Sequence, residues 1–440
     1  MLTRFSWVTL LFAVTPMWSQ TGAGSQMQTP PPISGEAYST EVASERRTNY
    51  LHTGFVINSA YSDNVVPGTS MNPIGDASYS FSPTIALDQT TARLHQTFTY
   101  APGFTVYQHT SSLNEVDQNL IMDVQYRLSP HVTANVQDSF RKSSNVFNQS
   151  LTGGVVSGST QSPIVPVVVP IADQISNNAN AEITYQFGRN GMVGGSGVFT
   201  NLHYPKPNQV AGLGDSNLQS GAAFYSYRIA RTSYFGVTYQ YATSQTSLPA
   251  IEDSSQKEAE SETQTHSALL FFTTYLTPRL SFSLSGGPQH YAMSQHPYPT
   301  LRSWAPIAAA SMGWQGSRAS LAANYSHVVG SGGGLLGAFE SNSASAVVRW
   351  QIARTWTIGS AVSYVMTQNV SSSIPQSNPG GHMVSGTFTV QHPISEHLNV
   401  ECGYIHLHQS YSSIAVISNA PDTNREFVSI SYQFTRPLGR

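Results

Sequence analysis

Apolar and polar residues alternate one by one through most of this chain. Ala223, Tyr225 and Tyr227 alternate with Phe224, Ser226 and Arg228; after a short break, Phe235, Val237, Tyr239 and Tyr241 alternate with Gly236, Thr238 and Gln240. Successive side chains of a strand point to opposite faces, so each run reads as a two-faced strand. The few residues between the runs allow only a tight antiparallel hairpin. The same unit recurs at Tyr126–His131, Tyr185–Gly191, Tyr275–Arg279, Trp314–Arg318 and Trp350–Trp356. Each time an aromatic closes one strand, a short turn follows and a new alternating run begins.

Many such runs, each roughly ten residues long with aromatics at their ends, are what a transmembrane β-barrel requires. Lipid satisfies no backbone hydrogen bond, so strands cross a membrane only as a closed sheet. The expected fold is all-β: a single transmembrane antiparallel up-and-down β-barrel of about 18 strands, with about 16 as the alternative. Connections alternate short and long, and the short ones follow the even strands. In outer-membrane barrels the periplasmic turns are the short ones, which predicts that both chain ends are periplasmic.

Tyr126, Phe187, Tyr227, Tyr275, Trp314, Trp350 and Phe434 all stand just before short turns. They are expected to form one girdle at the periplasmic interface, where a ring with a polar tip is favoured. By parity, Asp123, Arg127, Asp138, Glu182, Arg228, Arg349 and Glu401 are candidate lumen charges. Rings of charge set ion preference in a pore; with both signs mixed and pairs able to neutralise each other across strands, weak selectivity is expected.

Several segments break the pattern. Pro102-Gly103 is expected to mark a bulge or bend in its strand. Arg141 to about Asn178 carries Ser-Pro-Ile-Val-Pro-Val-Val-Val-Pro170 and reads either as a loop folded into the lumen or as an external loop. Loops are also expected at 201–218, at the acidic run Glu252–Glu262, at 288–303 and at the flexible run Gly330-Ser-Gly-Gly-Gly334.

Composition agrees with a membrane barrel. Charged residues are only 10% of the 440, and aromatics are 11%. A soluble protein so poor in charge would associate. The net charge of −3 argues against nucleic acid as a partner. Arg4 followed by the apolar stretch Phe5–Val14 reads as a secretory signal, too short for a membrane helix, with cleavage after Ser19 or Ala23. The expected organisation is a signal peptide over 1–23, a flexible periplasmic lead-in over 24–49 and the barrel over 50–440. Cys402 is the only cysteine, so no intrachain disulfide is possible; it reads as a small apolar residue on a strand face. His290 with His296, and His406 with His408, lack a carboxylate or cysteine partner at ligand spacing. No nucleophile-elbow pattern is present, the sequence names no cofactor, and no enzyme is expected.

The last strand, Glu426-Phe-Val-Ser-Ile-Ser-Tyr-Gln-Phe434, resembles the C-terminal assembly signal of Gram-negative outer-membrane barrels, with Val428, Ile430, Tyr432 and Phe434 in the matching apolar parity. The tail Thr435–Arg440 departs from family members that end on the aromatic. The resemblance implies that outer-membrane lipid and the barrel assembly machinery are partners. More loosely, the chain looks like porin-type barrels encoded beside exopolysaccharide-export systems. The expected function is a porin-like channel for passive diffusion of small polar solutes, and the expected partners beyond lipid and the assembly machinery are small polar solutes or glycans. The alternatives are a structural or surface-interaction barrel acting through its loops, and an accessory of exopolysaccharide export.

Overall fold

The computed structural model describes residues 49–65, 73–144, 173–206, 212–250, 258–370, 380–411 and 422–438. The signal, nearly all of the lead-in, the proline-rich part of 141–178, Glu252–Lys257 and the last two residues lie outside them. The strands are β1 (Asn49–Ser62), β2 (Asp76–Thr90), β3 (Leu94–Tyr107), β4 (Glu115–Arg127), β5 (Val132–Ser143), β6 (Gln174–Phe187), β7 (Gly191–His203), β8 (Asp215–Ala230) and β9 (Ser233–Leu248). They continue with β10 (Ala259–Thr277), β11 (Leu280–Gln295), β12 (Leu301–Gln315), β13 (Ala319–Ser331), β14 (Ala338–Gln351), β15 (Thr357–Asn369), β16 (Gly380–Pro393), β17 (Leu398–Tyr411) and β18 (Asp422–Pro437).

Each strand pairs antiparallel with the next, and β18 returns to β1. That seam runs from Tyr50 opposite Pro437 to Ser62 opposite Arg425. Closure into an 18-stranded barrel leaves no sheet edge, which is the condition for strands to sit in hydrocarbon. Asp63 locks the seam at its far end, accepting hydrogen bonds from the backbone and side-chain nitrogens of Asn424 at 2.7 and 2.6 Å.

The alternation read from the sequence becomes inside and outside. Ile57, Phe81, Phe104, Tyr225, Val237, Leu270, Val348 and Val428 are exposed on the outer face. Their neighbours in sequence face inward and include the buried Ser80, Thr105, Ser226, Thr238 and Ser429. The polar lining and apolar skin are inverted relative to a soluble protein, as a membrane barrel requires. Cys402 is exposed on the outer face, in the parity of Tyr404.

The girdle forms at the short-turn end from Tyr126, Phe187, Tyr227, Trp314, Trp350 and Phe434, all exposed. Phe187 stacks between Tyr185 and Tyr225, with centroids 6.3 and 6.1 Å away. Tyr275 is the exception. It pairs with Ser281 and packs inside against Met192, Phe224 and Tyr234. Nearness to a turn did not decide its side; parity with Phe271 and Thr273 did. Leu276 and Ile229 keep the outward parity of Leu270 and Tyr227, each at the bulge that ends its strand.

Pro102-Gly103 is not a bulge. The pairs Phe81–Phe104 and Ile85–Tyr100 keep one offset on both sides of a gap in the ladder, so no residue is inserted. Pro83 and Pro102 face each other in that gap, where neither has an N–H to donate. The expected loops at 201–218 and 288–303 are shorter than the sequence suggested: strands run to His203, resume at Asp215, and leave only residues 296–300 between β11 and β12. The end of the acidic run, Ala259–Glu262, belongs to β10.

The long-loop end is stitched by side chains. Asp76, first residue of β2, accepts from the backbone nitrogens of Ala77, His109 and Thr110, from Nδ1 of His109 and from the hydroxyl of Thr110. One carboxylate thereby fixes the β3–β4 connection, which contains a 3₁₀ turn at Ser111–Leu113.

Candidate functional site

Polar side chains from every strand face the lumen, so its lining is the candidate site. Register places Asp123, Arg127, Glu182, Arg228, Arg349 and Glu401 on the inward face. Asp123 lies opposite Gln137, whose amide donates to it at 3.1 Å, and Glu182 lies opposite Asn135 and Ser196. Arg349 stands between the outward Val348 and Trp350 and is the cation acting on Glu401. Arg228 sits near the short-turn rim, where its guanidinium donates to the carbonyl of Arg189.

Asp138 is a correction. It lies opposite Met122 on β4 and Ala179 on β6, on the face that carries Val136. It therefore points outward, because a one-residue step in a strand reverses the face. Other inward charges lie closer to the long loops: Asp76, Glu115, Asp117, Arg141 and Arg425. Arg425 is 2% exposed and lies within electrostatic reach of Glu115 and Tyr107. The signal for these was parity itself; Glu115, Asp117, Arg141 and Arg425 lie on the ends of β4, β5 and β18, a few residues beyond where the alternation is plain in the sequence.

The charges are not spread evenly. On the inward faces of β7 to β13, the described residues carry no charged side chain except Arg228. That arc is hydroxyl-rich, with Thr238, Ser244, Thr263, Thr265, Ser267 and Ser283 all buried. The remaining arc, from β14 through β18 and β1 to β6, carries the acids and arginines named above.

The neutral arc is covered by the chain itself. β12 and β13 pair only from Gln315–Ser320 to Ala308–His327. Beyond His327, β13 keeps its ladder to β14 as far as Ser331–Ala338 but leaves β12. The tip of this hairpin leans into the lumen. Gln289 on β11 replaces the lost ladder: its amide donates to the carbonyl of Val329 at 2.9 Å and accepts from the Val329 N–H at 3.0 Å. Val328 packs against Leu269 and Ile307, and Val329 and Ala338 pack against Tyr291 and Met293. The tip crosses to the far side of the arc, where the Gly214 N–H donates to the Gly334 carbonyl at 2.8 Å and the Gly337 N–H donates to the Ser261 hydroxyl at 3.1 Å.

The run Gly330–Gly334 is thus an ordered, buried element rather than a free loop. Gly333, Gly334 and Gly337 have φ of 61°, 104° and 115°, which only glycine adopts without strain. A Cβ on Gly332 would meet the Phe339 ring at 2.6 Å. Leu335 and Ala338 have no exposed surface.

The histidines set aside in the sequence lie elsewhere. His290 faces outward against Trp304, with centroids 5.1 Å apart. His406 bonds Asn424, and His408 bonds Asp422, each at 2.8 Å, also on the outer face. Among the described residues, no group of three His, Cys, Asp or Glu is placed to hold a metal ion.

No family model matches this chain, and no curated protein does. Solved barrels do. OccK2 (OpdF) of Pseudomonas aeruginosa is 9% identical with a TM-score of 0.43, over 89% of this chain and 98% of that one. The outer membrane protein OpdK of Pseudomonas aeruginosa is 10% identical with a TM-score of 0.41, over 88% and 99%. The ferric citrate transporter FecA is 10% identical with a TM-score of 0.42, and the match spans 84% of this chain but 60% of the transporter. On its own hydrogen-bond ladder, this chain is a closed 18-stranded antiparallel barrel.

Proposed function

We propose that the chain forms a channel in an outer membrane through which small polar solutes pass by diffusion. One observation carries the reading: a polar lining within an apolar skin, on a barrel of 18 strands narrowed by an inward hairpin. Barrels of roughly this size can hold an aqueous lumen, whereas eight-stranded ones are filled by their own side chains. The neutral arc and the β13–β14 tip supply the narrowing, and the charged arc supplies the wall along which solutes move. The short-turn end is periplasmic in this reading, residues 1–23 are the export signal, and β18 is the strand that the assembly machinery reads. Val428, Ile430 and Phe434 stand outward on that strand, available to a partner before closure.

Purified, heat-modifiable protein in a planar bilayer tests it. Stepwise conductance is expected, with weak ion preference because inward acids and arginines share one arc. Folded protein that inserts without conductance steps removes the reading.

A further inference from the structure

Resting on the channel reading, one part of the lumen says which solutes it suits. The inward faces of β4, β5 and β6 carry a patch of short planar polar groups, interrupted by the row of Ile121 and Ser139. Asp123, Gln137 and Asn180 make one row, and Asn135 and Glu182 stand in the next. Asn119 lies two rows nearer the long loops. Among these only the Gln137–Asp123 pair is joined, at 3.1 Å. The side-chain carbonyl oxygens of Asn119, Asn135, Gln137 and Asn180 are buried and have no hydrogen-bond partner.

A buried acceptor left unpaired costs about 1–3 kcal/mol; such atoms occur at several places around the barrel, and four of them fall in this one patch. The terminal torsions of Asn and Gln are broad and two-fold, so each amide can present either its oxygen or its NH₂ to the lumen. Each therefore offers a donor and an acceptor side by side in one plane. Adjacent hydroxyls on a ring present the same pairing, and each hydroxyl also both donates and accepts. A carboxylate solute would find no cluster of cations here: Arg141, opposite Asn119, and Arg127, near the short turns, each stand two rows from Asp123, with Asp123 and Glu182 among amides between them. A metal or polyamine would find those two carboxylates in separate rows with amides between and beside them. We infer that the β4–β6 wall is a track for a polyhydroxylated solute, a saccharide or polyol, which supplies the hydrogen bonds that the wall leaves unmade.

The test uses the full chain in a planar bilayer with a linear trisaccharide as probe, and glutamate and lysine as charged comparators. The readout is transient block, expressed against each variant's own open current. Trisaccharide is expected to block with a measurable affinity, while the charged solutes do not at equal concentration. The triple variant Asn135→Leu, Gln137→Leu, Asn180→Leu is expected to weaken block at least about tenfold, the equivalent of one lost hydrogen bond. Gln240→Leu, on the neutral arc, is expected to leave it within about twofold, a few tenths of a kcal/mol. Should the triple variant fail to give a heat-modifiable band, Asn135→Leu alone serves, with a smaller shift in the same direction. Conductance without trisaccharide block, block preserved in the variants, or stronger block by glutamate or lysine overturns the inference and leaves the channel reading standing. Absence of conductance overturns both.

Discussion

Gly334 shows how much a single residue decides here. Its φ of 104° is open to glycine, and a Cβ there would also lie 3.1 Å from the Gly214 carbonyl. Gly188, in a short turn, has φ 65° with nothing within 4 Å of a Cβ. Both positions carry backbone strain if substituted, of about 1–3 kcal/mol, but only Gly334 adds a contact. Gly334→Val is therefore expected to lower the urea midpoint of the folded barrel more than Gly188→Val does.

Asp138 gives a second residue-scale prediction. It stands outward between Met122 and Ala179, where a charge gains nothing from lipid. Asp138→Leu is expected to stabilise the barrel by about 1 kcal/mol in the same assay. Outside the strands, Asp173 is held to Lys206 at 2.6 Å and to the Ser144 hydroxyl at 2.6 Å. Burial alone would raise its pKa, but those two hydrogen bonds and the lysine charge outweigh burial and hold it below the usual carboxylate value. A depressed carboxylate pKa adds stability that is present above the unfolded value, about 3.9, and is lost as pH falls through the folded one. Lys206→Met is expected to move the Asp173 titration upward in an NMR pH series, and to remove that part of the acid dependence.

At the scale of elements, strands were legible because period-two alternation survives in short stretches of sequence, and turns were legible because charge and glycine interrupt it. What failed was the length of strands towards the long loops. Residues 288–303 mix His, Pro and Tyr and look irregular, yet Pro288 and Pro306 simply face each other across β11 and β12. The inward hairpin was also illegible. Its glycines read as slack, because nothing local says that Gln289, some 40 residues earlier, will bond both polar groups of Val329. Gln289→Leu strands that N–H and carbonyl at about 1–3 kcal/mol each. It is expected to raise amide exchange across residues 328–339 and to increase single-channel conductance. Unchanged exchange would mean that packing of Val329 and Ala338 on Met293 holds the tip alone.

For the whole molecule, closure is the cooperative step. β1 has no second partner until β18 arrives, so the first strand waits for the last. Removing residues 422–440 leaves two open edges and is expected to abolish heat-modifiable migration on a gel. Asp63→Ala, which removes one lock of the seam, is expected only to lower the transition temperature.

Alternation by itself determined the fold class, the apolar skin, the polar lining and the facing of most lumen charges, because a strand's side chains have only two directions to take. Parity put Asp123 and Glu182 inside without knowledge of any neighbour. Tertiary structure alone decided where β13 parts from β12, which arc the tip covers, and which acceptors on β4–β6 remain unpaired. Those depend on groups far apart in the chain meeting across the lumen, and no local period records such a meeting.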